Sequence, residues 1–272
     1  MPFRLLFAEN GYVHVCGHRG NSLNAPENTL PALESARRQG ASACEIDIVL
    51  SRDGEIVLSH DELLDRTTDG KGPIGDHDIA ALKTLDAGAW FAPEYAGTRL
   101  PTLTETIDLA RALGLGLVIE IKERRRVDEA IARLGAVLDA TRALADVVLL
   151  SFDHPSLLRA KERIPGARTE IITHARHVDI VAVARAACAD SISIELDMLQ
   201  ADDARALAEA GIGIRCHLPR PAWLARQETY GLDPMGELVT ALRYGAITSV
   251  SGDDVSFLRE FLVVRGLPVP SV

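Results

Sequence analysis

Ala43-Cys44-Glu45-Ile46-Asp47-Ile48-Val49-Leu50 is an apolar run broken by two acids. Its length, its isoleucines and the turn signal Asp53-Gly54 that follows read as a strand buried on both faces, as in parallel sheets. Side chains at i and i+2 of a strand point the same way. Glu45 and Asp47 therefore share one face, and Ile46 and Ile48 take the other. Two bare carboxylates held together in a buried place repel, and one is driven to protonate. A divalent cation removes the conflict, and hard cations such as Mg2+ and Ca2+ prefer carboxylate oxygens.

Working outward, short Val- and Ile-rich runs recur at 13–16, 43–50, 116–121, 147–151, 169–173, 191–196, 213–217 and 246–250. The stretches between them, such as 29–39, 104–113, 127–143, 201–210 and 235–244, are rich in Ala, Leu, Arg and Glu and read as helices. Thr102 with Glu105 three residues on is a capping-box signature. Gly40, Gly114 and Gly211 stand where helices end. Eight strands alternating with helices predict an α/β fold, a TIM (β/α)8 barrel. An open doubly wound sheet is the rival, but His18-Arg19-Gly20-Asn21-Ser22 does not match its GxGxxG turn. The second connection is abnormally long. The segment at about 52–100 carries a strand-like run of its own at 55–59 and reads as a small insertion after strand 2. Loops after strands build the working face of a barrel, so the insertion is expected to form part of the active-site face of a single domain spanning 1–272.

The 272 residues are 47 % hydrophobic, enough for a sizeable core, and carry a formal net charge of -10. No basic run suggests a nucleic-acid partner, and Arg124-Arg125-Arg126 sits between acids, as a solvated loop does. An acidic protein that binds an anion needs a metal or local cations at its site. No apolar run is long enough to span a membrane, and the stretch 1–10 lacks the features of a signal peptide. A cytoplasmic location without membrane insertion is expected. The widely spaced Cys16, Cys44, Cys188 and Cys216 form no zinc pattern and read as buried free thiols.

Polar residues gather where strands end. His18 and Arg19 follow the first, Glu120 and Lys122 end the third, and His60 follows the run in the insertion. Glu120 can give a third oxygen to the cation beside Glu45 and Asp47. Cleaving a phosphodiester needs a base on the attacking oxygen and an acid on the leaving one, and histidine can do either. Arg19 and Lys122 can neutralise phosphoryl oxygens.

His18-Arg19-Gly20, Ala25-Pro26-Glu27-Asn28-Thr29, Glu45-Ile46-Asp47, Asp53-Gly54, His60-Asp61 through Leu64-Asp65-Arg66-Thr67-Thr68, Leu100-Pro101-Thr102-Leu103 and Ile119-Glu120-Ile121-Lys122, in this order and spacing, resemble the glycerophosphodiester phosphodiesterase family. The resemblance covers roughly 13–122. It implies a TIM barrel with an insertion after strand 2 and one divalent cation, Mg2+ or Ca2+, on Glu45, Asp47 and Glu120. It implies His18 and His60 as general base and acid, with Arg19 and Lys122 on the phosphate. The implied partner is a small-molecule phosphodiester of lipid metabolism, hydrolysed to an alcohol and a phosphomonoester, with a cyclic phosphate as a conceivable intermediate. Pro26-Glu27-Asn28-Thr29 is expected to be structural, with Asn28 or Thr29 capping the first helix, and Arg66-Thr67-Thr68 to order the insertion.

The second half departs from the family pattern. Ile214-Arg215-Cys216-His217-Leu218 stands in place of a Trp-Thr-Val-Asn-like stretch on strand seven. Ile247-Thr248-Ser249-Val250-Ser251 stands where strand eight tends to end in Ile-Ile-Thr-Asp, with Asp253-Asp254 shifted later. Those ends help shape the alcohol pocket, which leaves a sugar or other polyol phosphodiester as an alternative substrate. A non-catalytic phosphodiester-binding barrel is a second alternative, and a lyase that stops at the cyclic product a third. Glu195, His217 and Trp223 are candidate pocket residues. His154 and His174 also lie near strand ends and read as structural.

Overall fold

The computed structural model describes residues 7–270. The expectation drawn on the stretch 1–10 thus falls mostly outside the described residues. The strands are β1 (His14–His18), β2 (Ala43–Leu50), β3 (Ile56–Leu58), β4 (Gly116–Ile121), β5 (Val147–Ser151), β6 (Thr169–Thr173), β7 (Ser191–Glu195), β8 (Gly213–His217) and β9 (Ile247–Gly252). Helices α1 (Phe7–Asn10), α2 (Leu30–Arg38), α3 (Ile79–Leu82), α4 (Leu103–Leu113), α5 (Val127–Thr141), α6 (His154–Arg163), α7 (Ile180–Ala186), α8 (Ala201–Glu209), α9 (Pro221–Thr229), α10 (Pro234–Arg243) and α11 (Val255–Val264) complete the chain. Strand β1 pairs in parallel with both β2 and β9. Parallel pairing runs unbroken from β2 through β4 to β9, which closes an eight-stranded barrel. The expected TIM barrel is what the chain forms.

The alternation along each strand sorts the interior from the shell. Cys44, Ile46 and Ile48 of β2 join the large core with Leu33 of α2, Ile107 of α4 and Leu134 of α5. Ala43 belongs instead to a small cluster with Cys16, Val118, Val148 and Leu150. Its neighbours on that face, Glu45 and Asp47, continue toward the barrel mouth. Inside, Arg215 Nε donates to Glu170 Oε1 at 2.7 Å and Arg215 Nη1 to Ser251 Oγ at 3.2 Å. Both charged residues of that pair are buried.

The insertion has its own small core. Strand β3 runs antiparallel to β2 through Ile48 and Leu58, Val49 and Val57, Leu50 and Ile56. Val49, Val57, Leu64, Ile74, Leu82, Ala87 and Leu100 form a separate buried cluster, so the segment is a folded wall. Helix ends follow the local signals: Thr102 and Glu105 make the capping box of α4, and Gly114 closes it in the left-handed region at φ 68°. Cys16, Cys44 and Cys216 are buried free thiols, but Cys188 is exposed. That corrects the expectation for Cys188, which lies beyond α7 in a left-handed turn at φ 49° and outside the barrel.

Candidate active site

The mouth is built from strand ends. Glu45, Asp47 and Glu120 each offer an oxygen, and these lie within 4.8 Å of one another. Strand register explains the convergence: Asp47 is paired with Glu120, and His18 with Glu45. All three carboxylates are buried. Burial first, and then the Asp47 charge, raises the pKa of Glu45. The same causes, joined by Glu45, push Glu120 up to about 7 against the pull of Lys122. Lys122 Nζ sits 2.7 Å from Glu120 Oε1 and 3.5 Å from Asp47 Oδ1. Glu45 Oε1 and Asp47 Oδ1 are buried acceptors with no hydrogen-bond partner, and Arg19 Nε is a buried donor with none. Such orphans are costly. Asp47 Oδ1 has only the ion pair with Lys122, and Arg19 Nε only one with Asp47 Oδ2 at 3.5 Å. Three buried carboxylates with hydrogen-bonding capacity to spare are a donor set suited to a hard divalent cation, and the guanidinium suits an anion next to it.

His18 ends β1 with its ring fixed from behind. Its Nδ1 donates to Asp253 Oδ1 at 2.8 Å, and its Nε2 lies 4.0 Å from Glu45 Oε2. Burial disfavours the imidazolium, but the Asp253 hydrogen bond and the Glu45 charge outweigh it and raise the pKa of His18. Asp253 is held well below the usual carboxylate range, first by the hydrogen bond from His18. After His18 the chain turns sharply. Arg19 takes φ 56° and Gly20 φ 83°. A Cβ on Gly20 would meet backbone atoms of Ala32 at 2.8 and 2.9 Å, so only glycine lets the turn sit under α2. The turn aims the Arg19 backbone N–H at Glu45 Oε2, 3.0 Å away.

His60 stands on the insertion with Nδ1 donating to Asp61 Oδ1 at 2.7 Å. Arg66 Nε donates to Asp61 Oδ2 at 2.6 Å, and its two terminal nitrogens donate to both oxygens of Glu27 at 2.7 and 2.8 Å. Glu27 Oε1 also accepts from Arg19 Nη1 at 2.8 Å. A chain of ion pairs thus runs from His60 through Asp61, Arg66 and Glu27 to Arg19. It ties the insertion to the barrel. Asn28 Nδ2 donates to Asp47 Oδ2 at 2.8 Å, and Asn28 Oδ1 accepts from Asp47 N at 3.0 Å. Thr29, not Asn28, caps α2 by accepting from Ala32 N.

The rest of the rim comes from later strands. Glu195 ends β7 and His217 ends β8 as registered neighbours. The His217 ring meets His18 edge-on at 5.0 Å. His174 stacks on Phe152 at 4.9 Å, and its Nδ1 lies 3.7 Å from Glu195 Oε1. Lys122 Nζ lies 5.5 Å from the centre of the Phe152 ring. Trp223 lies on α9, partly buried against the large core. His154 Nε2 lies 2.9 Å from the Ile172 carbonyl oxygen, at the start of α6.

Residues 18–235 match the model of the glycerophosphoryl diester phosphodiesterase family. The chain belongs to that family. It is 38% identical over 159 residues to a glycerophosphodiester phosphodiesterase of Caldanaerobacter subterraneus subsp. tengcongensis, covering 58% of this chain and 65% of the relative. A second such enzyme, from Bacillus subtilis, is 33% identical over 175 residues, covering 59% of each chain. The match thus spans 65% and 59% of the length of these two curated relatives. Among solved structures, an Oleispira antarctica phosphodiesterase in complex with the product sn-glycerol-3-phosphate superposes with a TM-score of 0.78 at 28% identity, over 93% of this chain and 98% of that one.

Within this family member, the site holds four groups that sequence reasoning did not place. Asp253 read as shifted away from the strand-eight position. It does stand later, and the structure shows how it still reaches the site: β9 runs to Gly252, past the expected end at 250, and the β8 pairing skips Thr248 between Ile214 and Arg215. The irregularity carries Asp253 to the rim beside His18. Glu27, Asn28 and Arg66 were read as local order, and their contacts cross between distant segments. The left-handed Asn28 had only its place before a Thr cap as a signal. Among the described residues no helix is long and apolar enough to cross a membrane.

Proposed function

We propose that the chain hydrolyses a glycerophosphodiester to an alcohol and sn-glycerol 3-phosphate, with one divalent cation held by Glu45, Asp47 and Glu120. The reading is carried by three buried carboxylates whose oxygens lie within 4.8 Å of one another, Glu45 Oε1 among them without a hydrogen bond, with Arg19 Nε and Lys122 Nζ each 3.5 Å from Asp47. A cation would take up the clustered carboxylate oxygens, and a phosphoryl oxygen the hydrogen-bonding capacity left on Arg19 Nε. Family membership supports the same chemistry, and Mg2+ and Ca2+ both fit an all-carboxylate set. When bound, the cation supplies positive charge that draws electron density from the phosphoryl group.

The protein side chains divide the remaining work. Arg19 and Lys122 bind and orient the phosphoryl oxygens. His18 accepts a proton at Nε2 from the attacking water, whose oxygen bonds to phosphorus as the bond to the alcohol oxygen breaks, since Nδ1 is committed to Asp253. His60 delivers a proton to the leaving alcohol, its own Nδ1 committed to Asp61. Base and acid come from two elements, β1 and the insertion, so a substrate can lie between them, as in-line displacement requires.

Purified protein assayed with glycerophosphocholine and Mg2+ or Ca2+ should release sn-glycerol 3-phosphate, and EDTA should stop it. Glu45→Ala should lower kcat/KM on the order of 100-fold or more. Undiminished turnover in that variant, or in chelator, refutes the role of the cation.

A further inference from the structure

The face that carries the strand ends holds a second cleft, between the insertion and the loop that joins β4 to α5. Leu50 at the end of β2 floors it, Ile74 of the insertion walls it, and its volume is 290 Å3. Arg52, Arg124, Arg125 and Arg126 line it against two carboxylates, Glu62 and Glu123. In a chain of formal net charge -10, a local excess of cations marks where an anion can approach. The arginine run that reads from sequence as a solvated loop thus borders a cavity.

The hydrogen bonds divide these arginines into two pairs. Arg126 Nη2 donates to the Leu50 and Ser51 carbonyl oxygens at 3.1 and 2.6 Å, and Arg52 donates to both oxygens of Asp78. Those two are committed to the wall. Glu123 is committed to backbone: Oε1 accepts from Arg125 N at 2.8 Å and Arg126 N at 2.9 Å, and Oε2 from Leu50 N at 3.3 Å. This fastens the turn to β2 and fixes where Arg124 and Arg125 project. Their partners are loose. Arg124 Nε lies 3.6 Å from Glu62 Oε1, and Arg125 Nη1 lies 3.7 Å from Asp76 Oδ1, with the two arginine side chains 83% and 73% exposed. Ion pairs of that kind are worth little. A ligand anion can displace both carboxylates and take two guanidinium forks.

The cleft adjoins the groups that handle the leaving alcohol. Arg124 stands two residues beyond Lys122, and Glu62 two residues beyond His60. Two residues span at most about 7 Å. We propose that Arg124 and Arg125 form a subsite for a second phosphate on the leaving alcohol, so that the chain favours diesters whose alcohol is itself phosphorylated. The proposal rests on the phosphodiesterase reading, which puts the scissile phosphate on Lys122 and the leaving oxygen at His60.

Steady-state hydrolysis of glycerophosphoinositol and of glycerophosphoinositol 4-phosphate, both with Ca2+, tests it, because the two differ by one phosphate on the leaving alcohol. The wild-type protein should favour the phosphorylated diester by about 10-fold or more in kcat/KM. The difference should lie in KM, since the contact is the same in ground and transition states. Arg124→Gln combined with Arg125→Gln should cut the preference to about 2-fold or less and leave glycerophosphoinositol turnover unchanged to within about twofold. Arg124→Lys with Arg125→Lys, which keeps the charge and loses the fork, should retain part of the preference. No preference in the wild type, or an unchanged one in the double Gln variant, overturns the subsite and leaves the phosphodiesterase reading standing. Failure to hydrolyse either diester removes that reading instead. Calorimetric titration with the same two diesters then gives the preference directly, and the same two outcomes decide the subsite.

Discussion

Asp253 and Asn28 work through the residues they hold. Asp253 fixes the tautomer of His18 by taking the Nδ1 proton at 2.8 Å, which leaves Nε2 as the ring's acceptor. Partners that orient a site histidine are typically worth about 10–100-fold when removed. Asp253→Ala should therefore lower kcat by about that factor with a smaller change in KM, and Asp253→Asn, which keeps an acceptor, should lose less. Steady-state kinetics on both variants would show it; equal and slight effects would leave Asp253 a surface residue. Asn28 grips Asp47 with two hydrogen bonds while its backbone takes φ 56°. Asn28→Ala removes the grip and puts a Cβ with no compensating polar group in the left-handed region, at a cost of about 2–4 kcal/mol by urea unfolding. Asn28→Gly should recover about 1 kcal/mol of that, the backbone part alone.

The insertion carries His60, the group to which the proposed scheme gives the leaving alcohol's proton. Its own apolar cluster keeps it folded, and the Asp61, Arg66 and Glu27 bridge aims it at the mouth. Arg66→Ala should speed limited proteolysis within 60–100 and lower kcat, with little change in Tm, because the cut bridge lies outside the core. The bridge also has a pH signature. Hydrogen bonds from Arg66, then from His60, lower the Asp61 pKa from 3.8 to about 2. A carboxylate lowered on folding stabilises the protein above its unfolded pKa, and the gain is lost as pH falls through the folded value. Between pH 3.8 and about 2 the wild type should thus lose stability that Asp61→Asn never had. The side chain is partly exposed, so the difference should stay under about 1 kcal/mol. Urea midpoints of the two proteins across that range would measure it, and parallel curves would refute it.

At the scale of the whole molecule, charge is arranged around a buried axis. Glu170 and Arg215 pair inside the barrel, Ser191 Oγ adds a hydrogen bond to Glu170 Oε2 at 2.7 Å, and Ser251 satisfies the guanidinium. The pair links β6 to β8 below the mouth. Removing one member strands the other charge in a low-dielectric place. Arg215→Met should cost about 3–5 kcal/mol by chemical denaturation, and Arg215→Met with Glu170→Gln should recover most of it. Additive losses would mean that the two side chains act independently.

The barrel, the insertion, and the grouping of His18, Arg19, Glu45, Asp47, Glu120 and Lys122 are legible in the order of residues alone. They are so because strand alternation and the ends of apolar runs are local, and a parallel barrel places every strand end on one rim. The partners that hold those groups emerge with folding. Asp253 with His18 spans 235 positions, Arg66 with Glu27 spans 39, and Arg215 with Glu170 spans 45. Two of these contacts depend on strand register: one skipped residue between β8 and β9, for example, changes which side chain faces inward, because the side-chain period of a strand is two. The Arg66–Glu27 contact lies on turns and depends on where the insertion packs. A run of letters fixes that period, but the phase between distant strands is set only when the barrel closes.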